Sequence, residues 1–469
     1  MNYKILNKFK NNIAFISEKN EKKTYSNFIN DIKQIDKIKL KKKTLVFLYS
    51  SQSYSFCCLF YNFINSNIIP VILNEKIDLS KSLILIKEYK PNYIFSLTEL
   101  NIKIYNLKLK HDKYYIYEKK NQITHKISKD ISLLMSTSGT TGSSKLVALS
   151  LENILNNTKS ICKYLDISSN DITLTTLPLS YSYGLSIINT HLFKGGKIIL
   201  TNNSFFEKEF WEILKNYKIS YIYGVPFSYE ILFKLGIFKR NIKSIQYFAV
   251  AGGGMEKNLL QKYFNYCKKN KKKFICMYGQ TEATTRISYL PFEKHKKKIG
   301  SIGVPIPGGK LNILNKKDKR ITESYTEGEI YYKGKNVMIG YVNRLKDLMK
   351  KRSNDYLLKT GDLGYFDKDN FFYITGRKKR IVKIYGHRIS LDQLQSFLLS
   401  KKINNACISK NDLLYIFVNS SNFKSEKILK LINLFIDINI SKFIKFIKIK
   451  SLPITTSGKM QYHKLYDYI

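Results

Sequence analysis

The sequence predicts an α/β protein. It has a large N-terminal domain of layered α/β subdomains with a β-rich subdomain, followed by a small α+β C-terminal domain. Three observations carry this. Strand–helix–strand units, the building block of parallel sheets, recur in the first half of the chain. After about residue 300 short strands broken by Gly and Asp turns take over. From Lys378 onward a strand, a turn, a helix and two further strands read as a separate unit. The domains are therefore 1–377 and 378–469.

The elements follow in order. TLVFLYS (44–50) is a buried strand, FCCLFYNFINS (56–66) a helix and IIPVILN (68–74) the next strand. INTHLFKGGKIILT (188–201) and ISYIYGVPFSYEILFKLG (219–236) each set a β-rich run beside a helix. GSIGVPIPGGKLNILN (300–315), GEIYYKGKNVMIGY (328–341) and YLLKTGDLGYFDKDNFFYITGR (356–377) supply the β-rich subdomain. The C-terminal unit holds the helix LDQLQSFLLSK (391–401) and strands around LLYIFVN and KFIKIK. Alternation from Ile447 to Lys450 fits a half-buried strand better than a membrane anchor.

Composition narrows the classes. At 469 residues, 44% hydrophobic and 25% charged, the chain is globular rather than disordered, collagen-like or a disulfide miniprotein. No period of 20–50 residues points to a solenoid. The most apolar stretch, Phe56 to Leu73, is interrupted by Asn62, Asn65, Ser66 and Asn67, so no membrane span is expected. The N-terminal lysines have no apolar core behind them, so no secretory signal is expected. Six cysteines without a C-x-x-C pair read as reduced thiols of a cytoplasmic protein. The net charge of +45 fits a polyanionic partner. It also fits a Lys-, Asn- and Ile-rich composition spread over solvated faces, and both readings stay open.

The most informative stretch is Ser136 to Lys145, STSGTTGSSK, after the apolar run ISLLM. Small residues let backbone N–H groups converge on an anion, hydroxyls add donors, and Lys145 adds a cation. The spacing is not that of a Walker A loop. Four further motifs follow: Met277-Tyr278-Gly279-Gln280-Thr281-Glu282-Ala283, Thr360-Gly361-Asp362, Thr375-Gly376-Arg377, and Pro453 to Lys459 (PITTSGK). VAGGGM (250–255), GSIGVPIPG (300–308) and GEIYYKG (328–334) lie between them.

In this order and spacing the motifs resemble those of the adenylate-forming superfamily, which includes acyl-CoA synthetases, peptide-synthetase adenylation domains and luciferases. The resemblance covers nearly the whole chain and thins before about residue 40. It implies ATP-dependent activation of a carboxylic acid to an acyl-adenylate with release of pyrophosphate. Transfer to a phosphopantetheine thiol, of CoA or of an acyl carrier protein, then follows. Such chemistry depends on positioning and charge neutralisation.

The same resemblance implies roles. Ser138, Gly139, Thr140, Thr141, Gly142 and Lys145 hold the β- and γ-phosphates. Thr281 and Glu282 contact the α-phosphate and Mg²⁺, with Glu282 the metal ligand. Tyr278, beside Gly279, stacks on adenine, and Gly252 and Gly253 lie against the base. Asp362 accepts the ribose hydroxyls and Arg377 lies at the same sugar. Lys459 bridges the substrate carboxylate and the α-phosphate. Lys379 is the hinge about which a mobile C-terminal domain rotates between two half-reactions. Gly386 then lines the pantetheine channel and Arg388 meets phosphate.

Four positions depart from the family pattern. Ser144 replaces a usual Pro, Tyr462 a common Arg, and Arg380 strengthens the basic run beside Lys379. LPLSYSYGLS (177–186) has Tyr181 where His is common. That segment faces the acyl pocket by resemblance, so Tyr181, Tyr183 and Gly184 are candidate pocket residues, although plain packing also explains the tyrosines. No acidic residue lies between Leu177 and His191 to pair with an α-ammonium. This disfavours an ordinary amino acid without removing the alternative of an amino-acid-activating enzyme that loads a carrier protein. LPLSYSYGLS is also similar to bacterial members that serve discrete carrier proteins, and an acidic carrier would be attracted by +45. A basic nucleic-acid-binding protein is the alternative of a different class. No zinc finger, RNP motif or helix-turn-helix supports it.

Overall fold

The computed structural model describes residues 3–77, 79–136, 145–240, 242–384, 387–411, 413–419, 424–436, 440–455 and 459–469, with backbone alone at 383, 387, 388 and 434. The apolar runs of the N-terminal two-thirds form two large sheets. In one, Leu45–Tyr49 lies parallel to Ile69–Leu73 and to Tyr93–Ser96, and Ile69–Leu73 continues parallel to Leu133–Ser136. Leu146–Leu149 and Gly340–Val342 extend it antiparallel on that side, and the hairpin Tyr105–His111/Tyr114–Lys119 on the other. Every residue of Leu45–Tyr49 and Ile69–Leu73 is buried, the signature of a parallel strand covered on both faces.

The second sheet carries parallel strands Ile172–Leu174, Tyr221–Gly224, Tyr247–Val250 and Lys273–Tyr278 at its centre. The chain before residue 40, unassigned from sequence, closes its far edge. Ile13–Ile16 pairs with Lys197–Ile199, and Lys22–Thr24 turns back on Ile13–Ile16.

Helix Tyr54–Asn65 starts just before its predicted limit because the Ser53 hydroxyl caps it, accepting from Phe56 N at 3.3 Å. It is buried on every face from Ser55 to Ile64, and its buried Asn62 is satisfied by donating to the Ile32 carbonyl at 2.9 Å and to Asp36 Oδ1 at 2.8 Å. Leu59, Phe60 and Phe63 share one core with Val46 and Leu48 of the first sheet and Phe15 and Ile198 of the second. Each such side chain contributes about 1.5–3 kcal/mol on burial. Leu59→Asp would bury an unpaired carboxylate there and unseat the helix. Helix Ser182–Lys194, buried from Ser182 to Leu192, belongs to the same interior.

Four antiparallel strands, Lys310–Leu314, Gly328–Lys333, Leu357–Phe366 and Phe372–Arg377, form the β-rich unit. Two segments assigned to it from sequence do not stay in it. Val304–Pro305 pairs with Ser288–Leu290 on the nine-stranded sheet, and Gly340–Val342 pairs with Leu146–Leu149 on the eight-stranded one. Each covers a sheet edge that would otherwise expose unpaired backbone groups. A nearly buried ion pair, Lys298 Nζ to Asp367 Oδ2 at 2.7 Å, ties the two regions together.

The C-terminal part carries the hairpin Ile381–Ile384/His387–Ser390, helices Leu391–Ser400 and Ser425–Ile436, and a sheet of Asn405–Lys410, Leu413–Val418 and Ile444–Lys448. It has its own core, centred on Leu394, Leu398, Ile416 and Ile432. Among the described residues no helix is long and apolar enough to cross a membrane.

Candidate active site

TGD and TGR were separate motifs in the sequence. In the structure they occupy neighbouring antiparallel strands, with Asp362 paired opposite Arg377. Arg377 Nε donates to Asp362 Oδ1 at 3.0 Å, and the hydroxyl of Tyr278 donates to Oδ2. The Asp362 backbone N–H donates to Thr360 Oγ1 at 3.1 Å, fixing the loop side of the strand. Asp362 is 4% exposed. Burial pushes its carboxyl above the usual carboxylate range, and Arg377 and Tyr278 pull it back part of the way. Three residues from three motifs thus form one polar cluster.

Tyr278 ends strand Lys273–Tyr278, and the chain reverses into Ser288–Leu290. Gly279 sits where the two arms nearly touch: a Cβ there would fall 1.9 Å from the carbonyl oxygen of Thr285. The short turn Thr281–Ala283 follows. Its Thr281 hydroxyl lies 3.2 Å from that of Ser182, at the start of helix Ser182–Lys194. Glu282 Oε1 accepts from the Tyr341 hydroxyl at 2.9 Å. The Lys145 ammonium stands 3.1 Å from the centroid of the same Tyr341 ring. Burial lowers the Lys145 ammonium below the ordinary lysine value, while Glu282 raises it and Lys379 lowers it further. Strand Gly340–Val342, on the edge beside Leu146–Leu149, is what delivers Tyr341 to this point. Ser182 and Tyr341 were not singled out from sequence. Tyr341 ends a run already noted, but nothing local marked its hydroxyl.

Ser138, Gly139, Thr140, Thr141 and Gly142 lie outside the described residues. Their flanks are clear: Ser136 pairs with Leu146 across an antiparallel ladder. The glycine-rich loop therefore connects two strands rather than a strand and a helix.

Lys459 comes from the C-terminal part. Its backbone closes a turn with Thr455, whose N–H donates to the Lys459 carbonyl at 2.8 Å and whose Oγ1 accepts from Lys459 N at 3.0 Å. The ammonium reaches the large domain and stands 4.6 Å from the ring centroid of Tyr181. Gly252 borders the same spot. Its φ of +94° favours glycine, and a Cβ would meet the Tyr181 hydroxyl at 2.8 Å and Val225 at 3.3 Å. A Cβ on neighbouring Gly253 would meet only Pro226, at 3.5 Å.

Of the three pocket candidates, Tyr181 alone stands against Lys459. Tyr183 and Gly184 are buried in the first helical turn, and the ring of Tyr183 meets that of Tyr181 at 6.2 Å. Tyr181 precedes the first helical residue, whereas Tyr183 and Gly184 belong to the first turn and are carried inward. Tyr183 is 1% exposed and donates to the Ala249 carbonyl at 2.6 Å. A Cβ on Gly184 would fall 2.2 Å from the Pro178 carbonyl oxygen.

Lys379 is exposed in the turn Lys378–Arg380. Lys378 pairs back to Glu329 at 2.8 Å. Arg380 pairs forward with Asp392, donates to the Cys407 carbonyl at 3.1 Å and lies 3.7 Å from the Tyr462 ring centroid. Lys379 thus separates a residue tied to the β-rich sheet from one tied to the C-terminal part. The two departures Arg380 and Tyr462 pack on each other. Gly386 lies outside the described residues, and of Arg388 only the backbone is described, paired with Lys383.

Glu282, Thr281 and nearby phosphate oxygens would together make an ordinary magnesium donor set, which needs only one or two protein carboxylates. The residues present fit such an ion. Among the described residues no cluster of three metal-ligating side chains competes with it.

The sequence model of the family described as AMP-binding enzyme matches residues 4–342. A probable 4-coumarate–CoA ligase of Dictyostelium discoideum is 31% identical over 298 residues, 61% of this chain and 53% of that protein. The alignments thus span about half the length of such curated relatives. Among solved structures, the O-succinylbenzoate coenzyme A synthetase MenE from Bacillus subtilis in complex with AMP has a TM-score of 0.79 at 21% identity, over 98% of this chain and 97% of that one. ATP-bound MatB from Rhodopseudomonas palustris has a TM-score of 0.80 at 18% identity, over 100% and 99%. These likenesses show the fold, a large N-terminal and a smaller C-terminal domain, end to end. The family match covers well over half of the sequence and contains the Tyr278–Glu282 motif and the strand that brings Tyr341 to it; the chain therefore belongs to the AMP-binding enzymes, the adenylate-forming superfamily.

Proposed function

We propose that this protein is an acid–thiol ligase. It joins a small carboxylic acid to ATP, giving an acyl-adenylate and pyrophosphate, and then passes the acyl group to a phosphopantetheine thiol with release of AMP. The observation that carries this reading is the meeting of Lys459 with Tyr181 beside Gly252. A cation on the small C-terminal part reaches a wall of the large domain.

Each group has a task in this reading. Asp362 receives the ribose hydroxyls, which replace the hydroxyl of Tyr278 and strengthen a site that Arg377 already polarises. Tyr278 and Gly279 border the adenine with Gly252 and Gly253. The loop from Ser138 to Gly142 and Lys145 hold the terminal phosphates. Glu282, oriented by Tyr341, holds Mg²⁺ with Thr281. Bound there, the ion would supply neutralising charge beside the phosphates. Lys459 neutralises the carboxylate and α-phosphate oxygens as they approach, a preorganised electrostatic contribution. A compact ammonium on a long stem suits entry into a closing site.

The second half-reaction needs Lys459 withdrawn and a thiol admitted. We assign the boundary to 377/378, with Lys379 as hinge and Gly386 and Arg388 at the incoming pantetheine. The exposed position of Lys379 between two anchored neighbours supports this. The acceptor is CoA, as the names of the ligase relatives suggest. An acidic carrier protein is a further acceptor that the charge of +45 would attract. A cytoplasmic setting suits six free thiols, five of them buried. The direct test is acid-dependent pyrophosphate release over a panel of small acids, followed by thioester formation with CoA or a carrier protein. Release that is independent of any acid would remove the reading.

A further inference from the structure

Arg286 is a buried charged group that none of these tasks employs. It is 3% exposed. Its Nε donates to the thioether sulfur of Met277 at 3.3 Å, and its Cζ lies 3.8 Å from the ring centroid of Tyr183. The Tyr164 hydroxyl donates to the same sulfur at 3.1 Å. All these partners are neutral. Among the described residues no Asp or Glu pairs with it. A guanidinium removed from water without a counter-charge is costly, and an aromatic face and a thioether return only part of that cost. For packing alone, an apolar side chain of similar volume would serve better.

Two other polar groups nearby lack partners. The Tyr223 hydroxyl is buried without a hydrogen bond, and its ring meets that of Tyr183 edge-on at 6.2 Å. His191 Nε2 is buried and likewise unbonded, its ring 5.8 Å from that of Tyr223. These groups adjoin the candidate site. Tyr183 is next but one to Tyr181, over which Lys459 stands, and their rings meet at 6.2 Å. Met277 directly precedes Tyr278. Thr285, the residue before Arg286, donates its hydroxyl to the Ser182 carbonyl at 2.9 Å.

We propose that Arg286 receives a second anionic group of the acid substrate, so that the preferred acid is a dicarboxylate activated at the end remote from Arg286. The inference rests on the ligase reading above and names its substrate class. The guanidinium fork matches a carboxylate in two parallel hydrogen bonds, and Tyr223 offers a further donor. A monoacid would have one carboxylate divided between Arg286 and Lys459. A diacid satisfies both cations and is held in one orientation. An α-ammonium acid would meet a cation instead of the acidic partner it needs, in keeping with the lack of acidic residues from Leu177 to His191.

The test uses non-hydrolysable acyl sulfamates of adenosine with tails of graded length. Each tail ends either in a carboxylate or in the matching carboxamide. In the wild-type protein the carboxylate form of the best length should bind about 50-fold more tightly or better, the scale of a desolvated charge pair. Arg286→Met should bring that ratio to near one, and Arg286→Lys should keep part of it. A ratio near one in the wild type overturns the proposal without any variant, so a misfolding variant does not rescue it. A ratio that survives in Arg286→Met overturns it too. Sulfamoyladenosine without a tail separates the two readings. If it binds and the tail charge has no effect, only this inference fails; if neither it nor any sulfamate binds, the ligase reading fails and this one with it.

Discussion

Arg377 Nε and Asp362 Oδ1 lie 3.0 Å apart across two neighbouring strands, and the same carboxylate accepts from Tyr278. A nearly buried acid with two donors already in place is preorganised for a cis-diol. The prediction is that Asp362→Ala weakens AMP and ATP binding by about 1.5–3 kcal/mol, the range for hydrogen bonds to a charged group. Calorimetry with AMP measures it. Unchanged affinity would take Asp362 out of the nucleotide site.

Glu282 and Tyr341 give the second prediction. Glu282→Gln keeps the shape but removes the charge, so adenylation should slow and require more magnesium. Tyr341→Phe removes the hydroxyl bonded to Glu282 Oε1 and should act in the same direction more mildly. Pyrophosphate release is measured against magnesium concentration for the three proteins. If the Glu282→Gln curve overlays that of the wild type after scaling, Glu282 is not the metal ligand.

The pH dependence of stability has a definite sign. Burial lowers the ring of His191 from 6.5 to about 4 and that of His295 to about 3. The unfolded chain takes up protons at these rings near 6.5, and the folded chain does so only well below that. Stability is therefore full above 6.5 and falls as the pH drops below it, by up to about 1.4 kcal/mol per pH unit for each ring. Asp367, held below the usual range mainly by Lys298 against the opposing effect of burial, adds its own loss only below 3.8. Asp362 acts oppositely. Its raised value means that stability is lost as pH rises from 3.8 through its folded value. Urea unfolding between about pH 7 and 5 isolates the histidines. His191→Leu should flatten part of the slope, and a flat wild-type profile would mean that the rings are already charged in the folded chain.

How far the sequence revealed this site depends on how each residue acts. Motif residues whose chemistry is carried by local pattern were legible as candidates: Tyr278, Asp362 and Arg377 meet in one cluster, while Glu282 meets Tyr341. Tyr341 was not, because its role comes from a strand that leaves the β-rich region to cover an edge of another sheet. Only tertiary pairing reveals that. Tyr183, close in sequence to Tyr181, is carried inward by the helix start, yet its ring meets that of Tyr181 on one side and lies under the Arg286 guanidinium. Arg286 was not singled out because no spacing marks it. Its meaning lies in what it fails to touch. The strands flanking the helix at 56–66 were readable because full burial leaves uninterrupted apolar runs, and the helix because its polar interruptions are few.

The sharpest prediction separates the two half-reactions. Lys459 reaches Tyr181 only because the C-terminal part sits where it does, and Lys379 stands at the junction that would have to turn. Lys459→Ala should lower adenylate formation by about 10²–10³, the scale for losing one preorganised transition-state donor. Given synthetic acyl-adenylate, the same variant should form thioester at a near wild-type rate. Lys379→Pro should behave the opposite way. Proline fixes φ near −65°, a value that a 3₁₀ turn such as Lys378–Arg380 adopts, and removes rotational freedom at the junction. The present arrangement should then persist and adenylation continue, while transfer to the thiol fails. Each half-reaction is measured alone, by pyrophosphate release without thiol and by thioester formation from supplied adenylate. If Lys459→Ala damages both halves equally, the lysine supports the C-terminal fold and not one catalytic state. If Lys379→Pro transfers normally, the chain pivots elsewhere or not at all.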